Sequence, residues 1–290
     1  MVCELTERDL SDVFLFCWPI CKDQNTTSYP IYPEPGDLQN ALIGSMRDPN
    51  DKVLGCFEKE ELIGVCMVFP ISQDHFLQTN GFYIEGKTAG YDVDATQFVR
   101  YLKNHYPGYR ALFGFPRENR YAAMYFYEHG AKCVESSYTL ICNRTRYQPE
   151  KPGTRNPVKR LKPEDFPKYA PFHDQFAGEI YWNAERMQRD LAQWWIYTYE
   201  SKGEIVASLF MHVENRMDAE IFGLFVAEGK DVYYYGRKLL AKTLGDLFEQ
   251  MPQVADVIYF VEEDSKSELK AAYETGFYKN DHYKCYQLML

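Results

Sequence analysis

The chain has 290 residues, enough for one large domain or for two of about 145. Hydrophobic residues make up 46% and charged residues 26%, the balance of a globular protein with apolar side chains to spare for a core. A net charge of −10 with no long Lys/Arg run excludes the basic footprint that a phosphate backbone requires, so nucleic-acid binding is not expected.

In the first half, Thr6 with Asp9 reads as the cap of a helix. Residues 22–50 carry Pro, Asn, Asp and Gly and read as loop around one short helix. Residues 53–57 and 62–69 are apolar strand-like runs joined by a polar turn at 58–61, and 82–84 is another short strand. Residues 94–105 place Phe98, Tyr101 and Leu102 at helical spacing. A strand at 111–115, a helix at 119–129 and a closing strand at 136–142 follow. Residues 144–157 hold three Pro, one Gly and four basic residues, which is a linker composition.

The second half repeats the order. Residues 194–199 and 205–213 form a hairpin across Ser201-Lys202-Gly203, and 219–226 is a strand in which Gly223 marks a bulge. Residues 236–250 are an amphipathic helix with Leu240, Leu244, Leu247 and Phe248 on one face. A strand at 257–261, a helix at 265–275 and a last strand at 283–290 complete it. Three short landmarks recur in the same sequence order. Leu5-x-x-x-Asp9-Leu10 returns as Leu161-x-x-x-Asp165-Phe166, Glu61-Leu62-Ile63 as Glu204-Ile205-Val206, and Tyr127-Glu128-His129-Gly130 as Tyr273-Glu274-Thr275-Gly276. Their offsets of 156, 143 and 146 drift only as loop lengths drift. The expectation is a duplicated mixed α/β domain: residues 1–145, a linker at 146–157, and residues 158–290.

The eight Cys come with no secretory signal, and the apolar run at 13–17 is too short to span a bilayer. Reduced thiols and a cytoplasmic location are therefore expected, with no membrane partner. Cys17 and Cys21 stand as a lone C-x-x-x-C and the six His are scattered, so no metal is expected.

Two further segments carry chemistry. Gly236-Arg237-Lys238-Leu239-Leu240 opens the second half's long helix, preceded by Asp231 and Tyr234; Gly90, Val93, Ala95, Phe98 and Val99 stand in the same places in the first half. Nearer each end lie Asn119-x-x-Ala122-x-x-x-Phe126-x-x-x-Gly130 and Ser265-x-x-Glu268-x-x-x-Ala272-x-x-x-Gly276-Phe277. With the element order, these resemble the GCN5-related N-acetyltransferase (GNAT) family, twice over and across nearly the whole chain. The resemblance implies two tandem GNAT-like domains and acetyl-CoA as co-substrate, with no metal.

It further implies that the pyrophosphate of CoA meets a helix N-terminus, where free N–H groups and the helix dipole favour anions. In the second copy that assigns Tyr234, Gly236, Arg237 and Lys238 to the cofactor, with Lys230 adding charge; in the first copy Asp92 and Asp94 oppose an anion. Backbone N–H groups of Leu224, Phe225 and Val226, beside the bulge, are expected to polarise the thioester. Glu220 is the candidate base, because an alkylammonium with a pKa near ~10 must lose a proton before it attacks. Phe126 and Ala272 stand where the family's acidic Tyr is usual, and Tyr273, one residue on, is the candidate acid. The expected function is direct acetyl transfer to a primary amine of a small molecule, with a degenerate N-terminal copy, acceptor-shaping loops at 22–50 and 171–193, and room for a homodimer. The alternative is a non-catalytic GNAT-fold module with weak or no affinity for CoA.

Overall fold

A computed structural model describes residues 1–85, 90–151, 156–178, 180–214 and 218–290. In chain order the elements are β1 (Val2–Glu4), α1 (Leu10–Cys21), α2 (Pro35–Arg47), β2 (Lys52–Glu58), β3 (Glu61–Ile71), β4 (Phe76–Ile84), α3 (Tyr91–His105), β5 (Arg110–Pro116), α4 (Arg120–Glu128) and β6 (Lys132–Asn143). They continue as β7 (Lys159–Arg160), α5 (Phe166–Ala177), α6 (Ala184–Arg189), β8 (Trp194–Ser201), β9 (Glu204–Glu214), β10 (Asp218–Val226), α7 (Val232–Gln250), β11 (Asp256–Glu262), α8 (Lys266–Thr275) and β12 (Tyr278–Met289).

Two compact units result: residues 1–136 with 282–290, and residues 137–281. In unit 1 the strand order is β1-β2-β3-β4-β5-β12, and in unit 2 it is β7-β8-β9-β10-β11-β6. All neighbours run antiparallel except β4 with β5 and β10 with β11, which are parallel, so each unit is built on a mixed sheet. The linear division at 145 and 158 differs from this grouping at both closing strands. Most of β6 pairs with β11, from Asp256↔Asn143 to Glu262↔Ser137, and β12 pairs with β5, from Tyr283↔Pro116 to Met289↔Arg110. Side-chain burial accounts for the exchange. Leu140 and Cys142 enter the core around α7 and α8, and Tyr286 and Leu288 enter the core with Phe113 and Phe126. The expected linker is partly fixed on unit 2, where the Tyr147 hydroxyl donates to Ala241 O at 2.7 Å and Asn156 Nδ2 to Lys238 O at 2.9 Å; residues 152–155 lie outside the described residues.

Each sheet is apolar on both faces. In unit 1, α1 and α2 cover one face through Val13, Leu38 and Leu42, while α3 and α4 cover the other through Phe98, Leu102 and Phe126. Unit 2 repeats this, with Phe166, Tyr169 and Met187 on the α5–α6 side and Leu239, Leu244 and Leu247 on the α7–α8 side. The hairpins match as well. Lys59-Glu60 and Lys202-Gly203 both take positive φ at two successive residues, the turn whose twist suits a two-residue connection. Just beyond each turn the register slips by one residue, leaving Ile63 and Val206 as the extra residues. These end two copies of one landmark seen in the sequence. The landmark Tyr-Glu-x-Gly ends α4 and α8, with Gly130 at φ 74° and Gly276 at φ 111°, the left-handed conformation that glycine adopts at a helix end.

Several elements begin earlier than the sequence reading has them, among them β4 at Phe76 rather than 82 and β12 at Tyr278 rather than 283, and two departures bear on the site. Helix α7 begins at Val232 rather than 236, because the Asp231 carboxylate caps it by accepting from Tyr234 N–H. Residues 171–193, expected as variable loop, hold the end of α5 and all of α6, which the Asn183 side chain caps by accepting from Arg186 N–H.

Candidate active site at the parting of the central strands

The parallel strands in each unit stay together for only three paired positions. β4 and β5 pair from Phe76↔Arg110 to Gln78↔Leu112, and β10 and β11 from Ala219↔Val257 to Ile221↔Tyr259. Beyond these points the strands part, and each has a bulge beside the parting. In β10 the register against β9 breaks between Ile221 and Gly223, leaving Phe222 extra, as the sequence reading of Gly223 expects. A Cβ on Gly223 would lie 2.6 Å from the Phe210 ring, so a larger residue there forces that ring to move. In β4 the break lies between the pairs Cys66↔Phe82 and Val68↔Thr79, next to Gly81 at φ 137°.

In unit 1 the parting is occupied by the chain itself. Ser28 Oγ accepts from Phe82 N–H at 2.6 Å, Tyr29 N–H donates to Gly114 O at 2.9 Å, and Asn119 Nδ2 donates to Thr27 O at 2.8 Å. Thr27 and Ser28 are buried. The 27–29 segment thus takes one backbone group from β4, one from β5 and the side chain that caps α4. Asn119 is kept from the family segment, but both ends of its amide are engaged, since its Oδ1 also accepts from Ala122 N–H.

In unit 2 the corresponding segment, between α5 and α6, brings aromatic side chains over the sheet. Trp194, His212 and Glu220 lie in one row across β8, β9 and β10, paired Trp194↔His212 and Glu220↔His212. Trp182 packs edge-on to Trp194 at 5.0 Å and to the bulge residue Phe222 at 6.1 Å, and His212 lies 5.0 Å from Trp194. Trp194 Nε1 is buried without a hydrogen-bond partner. Behind this wall the buried His173 donates from Nε2 to Trp182 O at 2.7 Å and accepts at Nδ1 from the Tyr169 hydroxyl at 2.8 Å, and burial holds its pKa below the usual imidazole value. His212 and Trp194 were not legible as site residues from the sequence, because cross-strand register brings them to Glu220, and Trp182 joins them from the segment between α5 and α6. A surface depression of about 310 Å³ lies elsewhere, at the β7–β8 edge by Arg160, Pro163 and Leu191, and shares only Trp194 with this wall.

On β10, alternate residues of an antiparallel strand turn their N–H groups away from β9. Ala227 N–H donates to Val206 O on β9 at 2.9 Å, so Phe225 also turns its N–H to β9, and only Leu224 and Val226 of the three expected donors turn theirs to the side from which β11 has departed. Leu224 packs towards α7, where a Cβ on Gly236 would lie 3.4 Å from Leu224 Cδ1 and 3.2 Å from Ala271 Cβ. Gly236 therefore lets α7 approach α8 and β10. Phe225 points to the other face, with its ring 5.3 Å from Phe176.

The start of α7 is less open to an anion than its glycine suggests. The N–H of Tyr234 is taken by Asp231 at 3.1 Å, while the Tyr234 ring is exposed. Arg237 donates from Nη1 to Thr275 Oγ1 at 2.9 Å, with Nε 3.8 Å from Glu274. Lys238 is buried, and its Nζ lies 2.7 Å from Glu150. Two of the expected cations, Arg237 and Lys238, thus have protein partners.

On α4 and α8 the residue before the landmark Tyr faces the core: Phe126 and Ala272 are 0% exposed, against 81% for Tyr127 and 42% for Tyr273. Tyr273 is near Tyr138 of β6, and burial followed by that neighbour pushes its phenol up. One turn earlier, where unit 1 has the buried Ala122, unit 2 has Glu268, whose Oε1 accepts from the hydroxyl of the fully buried Tyr259. Burial, opposed by that hydrogen bond, pushes Glu268 up to about 7.

Solved structures match this architecture along its length. A tandem GNAT protein from the clavulanic acid biosynthesis pathway aligns with 99% of this chain and 98% of its own, at 12% identity and a TM-score of 0.61. A GCN5-related N-acetyltransferase from Sphaerobacter thermophilus aligns with 99% of this chain and 95% of its own, at 13% identity and a TM-score of 0.66. The chain has the tandem GNAT fold. A GCN5-related glucosamine N-acetyltransferase region of a fungal multi-domain β-N-acetylglucosaminidase aligns with 99% of this chain and 38% of its own, at 12% identity and a TM-score of 0.66. No protein-family model matches, and no curated protein matches by sequence. Among the described residues no helix is long and apolar enough to cross a membrane.

Proposed function

We propose that unit 2 is a cytoplasmic acetyl-CoA-dependent N-acetyltransferase acting on a primary amine of a small molecule, and that unit 1 has lost this role. The observation that carries this reading is the β10 bulge beside the parted β10 and β11, on the strand that bears Glu220. There the N–H groups of Leu224 and Val226, which turn away from β9, would meet a thioester oxygen, where donors fixed in advance stabilise developing negative charge. Glu220 then takes the proton of the ammonium, with His212 across the ladder on the approach side. The aromatic wall of Trp182, Trp194 and Phe222 supplies an apolar, electron-rich surface that suits an amine-bearing acceptor. In unit 1 the same space holds residues 27–29, which supports a single site per chain. All eight Cys are free thiols, in keeping with a reducing compartment.

A specific observation favours a second reading, a GNAT-fold module with little affinity for CoA. Asp231 caps the helix that would receive the pyrophosphate, and Lys238 is committed to Glu150.

Thermal shift with acetyl-CoA, followed by thiol release across an amine panel, separates the two. Stabilisation together with amine-dependent release, reduced about 100-fold or more in Glu220→Gln, supports the first reading. Stabilisation without release supports a second-reading module that keeps some CoA affinity, and no stabilisation at 1,000-fold excess over a micromolar Kd, where about 4 kcal/mol is due, removes the first reading and leaves the second.

A further inference from the structure

Acetyl transfer from a thioester leaves a thiolate that needs a proton, and position 272, where the fold's usual donor would stand, holds a buried Ala. The same face of α8 carries Glu268 one turn earlier. Residues three apart on a helix share a face. Ala271, three residues beyond Glu268, is the neighbour nearest to where a Cβ on Gly236 would be, with Leu224 next. Glu268 therefore stands one turn above the point where α8 meets α7 and β10, on the side of the parting. Its partner Tyr259 sits at the last paired position of β10 and β11, opposite Ile221 and immediately before the bulge. The first copy has Ala122 at the equivalent position, buried with no acidic group to offer, so the carboxyl belongs to unit 2 alone.

We propose that Glu268, oriented by the Tyr259 hydroxyl, is the general acid that protonates the departing CoA thiolate in unit 2. The proposal rests on the acetyl-transfer reading above. In the step, the amine nitrogen bonds to the thioester carbonyl carbon and the C–S bond breaks. Its electron pair goes to sulfur, and the Glu268 carboxyl proton goes to that sulfur to give the CoA thiol. Glu220 takes one ammonium proton before attack and passes it to solvent, the second nitrogen proton leaves by the same route as the C–S bond breaks, and solvent reprotonates Glu268. A carboxyl pushed up to about 7 is still partly protonated at neutral pH. Around Glu268, Tyr259 and Glu262 face it from β11, and on α7 Arg237 is engaged by Thr275 and Glu274.

The test needs no acceptor. Free CoA is bound to the wild type, Glu268→Gln and Tyr259→Phe, and the ultraviolet absorbance of the bound thiolate is followed against pH. A carboxylate beside the sulfur raises the thiol's pKa, so Glu268→Gln lowers it by about one unit or more. Tyr259→Phe keeps the carboxylate and leaves the thiol raised, which separates the role of Glu268 from a general loss of packing. Thiol titration identical in wild type and Glu268→Gln, with CoA bound to both, overturns the proposal alone. Failure of the wild type to bind CoA overturns the acetyl-transfer reading, and the proposal with it.

Discussion

At the scale of single residues, Asp231 and Glu268 set opposite expectations from the same chemistry. Asp231 stabilises α7 by accepting from Tyr234 N–H, and places a negative charge where CoA would bring its phosphates. Asn caps a helix about as well as Asp but carries no charge. Asp231→Asn is therefore expected to leave the melting temperature within about 1–2 °C, and to tighten acetyl-CoA binding about five-fold, since an exposed like-charge contact is worth about 1 kcal/mol. Calorimetric titration checks this; unchanged affinity would mean that the phosphates lie away from this helix. Glu268 has a folded-state pKa of about 7 against an ordinary 4.5. Its protonated form is favoured by folding, so the native state binds more protons and stability falls as pH rises from about 4.5 to 7. Glu268→Gln keeps the acceptor for Tyr259 and removes the ionisation. Denaturant melts should show it about 1–3 kcal/mol more stable than wild type at pH 8, with the difference vanishing near pH 4; equal stability at both pH values would show the carboxyl to be solvated.

At the scale of elements, much of the fold is legible because hydrophobic period and turn chemistry act locally. The apolar stripe of α7, the two hairpins and the glycine of β10 are all visible in short windows. The site is less legible. His212 meets Trp194 only after the hairpin register slips at Val206, and no local pattern encodes a slip of one residue. The closure of unit 1 is hidden for a similar reason: residues 27–29 read as loop, and their hydrogen bonds go to strands more than 50 residues away in sequence. That closure makes a prediction. Ser28→Ala leaves the buried Phe82 N–H without its acceptor, and an unsatisfied buried donor costs about 1–3 kcal/mol. Differential scanning calorimetry should show a loss of about 3–8 °C, and hydrogen exchange should rise at the Phe82 amide; an unchanged Phe82 amide would show that another group replaces the hydroxyl.

At the scale of the whole molecule, duplication predicts two consecutive domains, and the structure answers with two units that do not follow the chain in order. The reason is that a closing strand is selected by the side chains it buries as well as by its position in the sequence. β6 offers Leu140 and Cys142 to the core of unit 2, and seven of its residues pair with β11. Two fully buried side chains at about 1.5–3 kcal/mol each and a ladder over seven paired residues at about 0.5–1.5 kcal/mol per bond amount to about 6–16 kcal/mol. That is comparable to the whole stability of a domain, about 5–15 kcal/mol. A fragment cut at the repeat, 158–290, therefore loses β6 while keeping β12, whose partner β5 it lacks. A fragment spanning 137–281 retains β6 against β11. The expected outcome is a cooperative thermal transition with near-ultraviolet dichroism for 137–281, and neither for 158–290. If 158–290 melts cooperatively and 137–281 does not, the closing strands belong to the halves in which they are encoded.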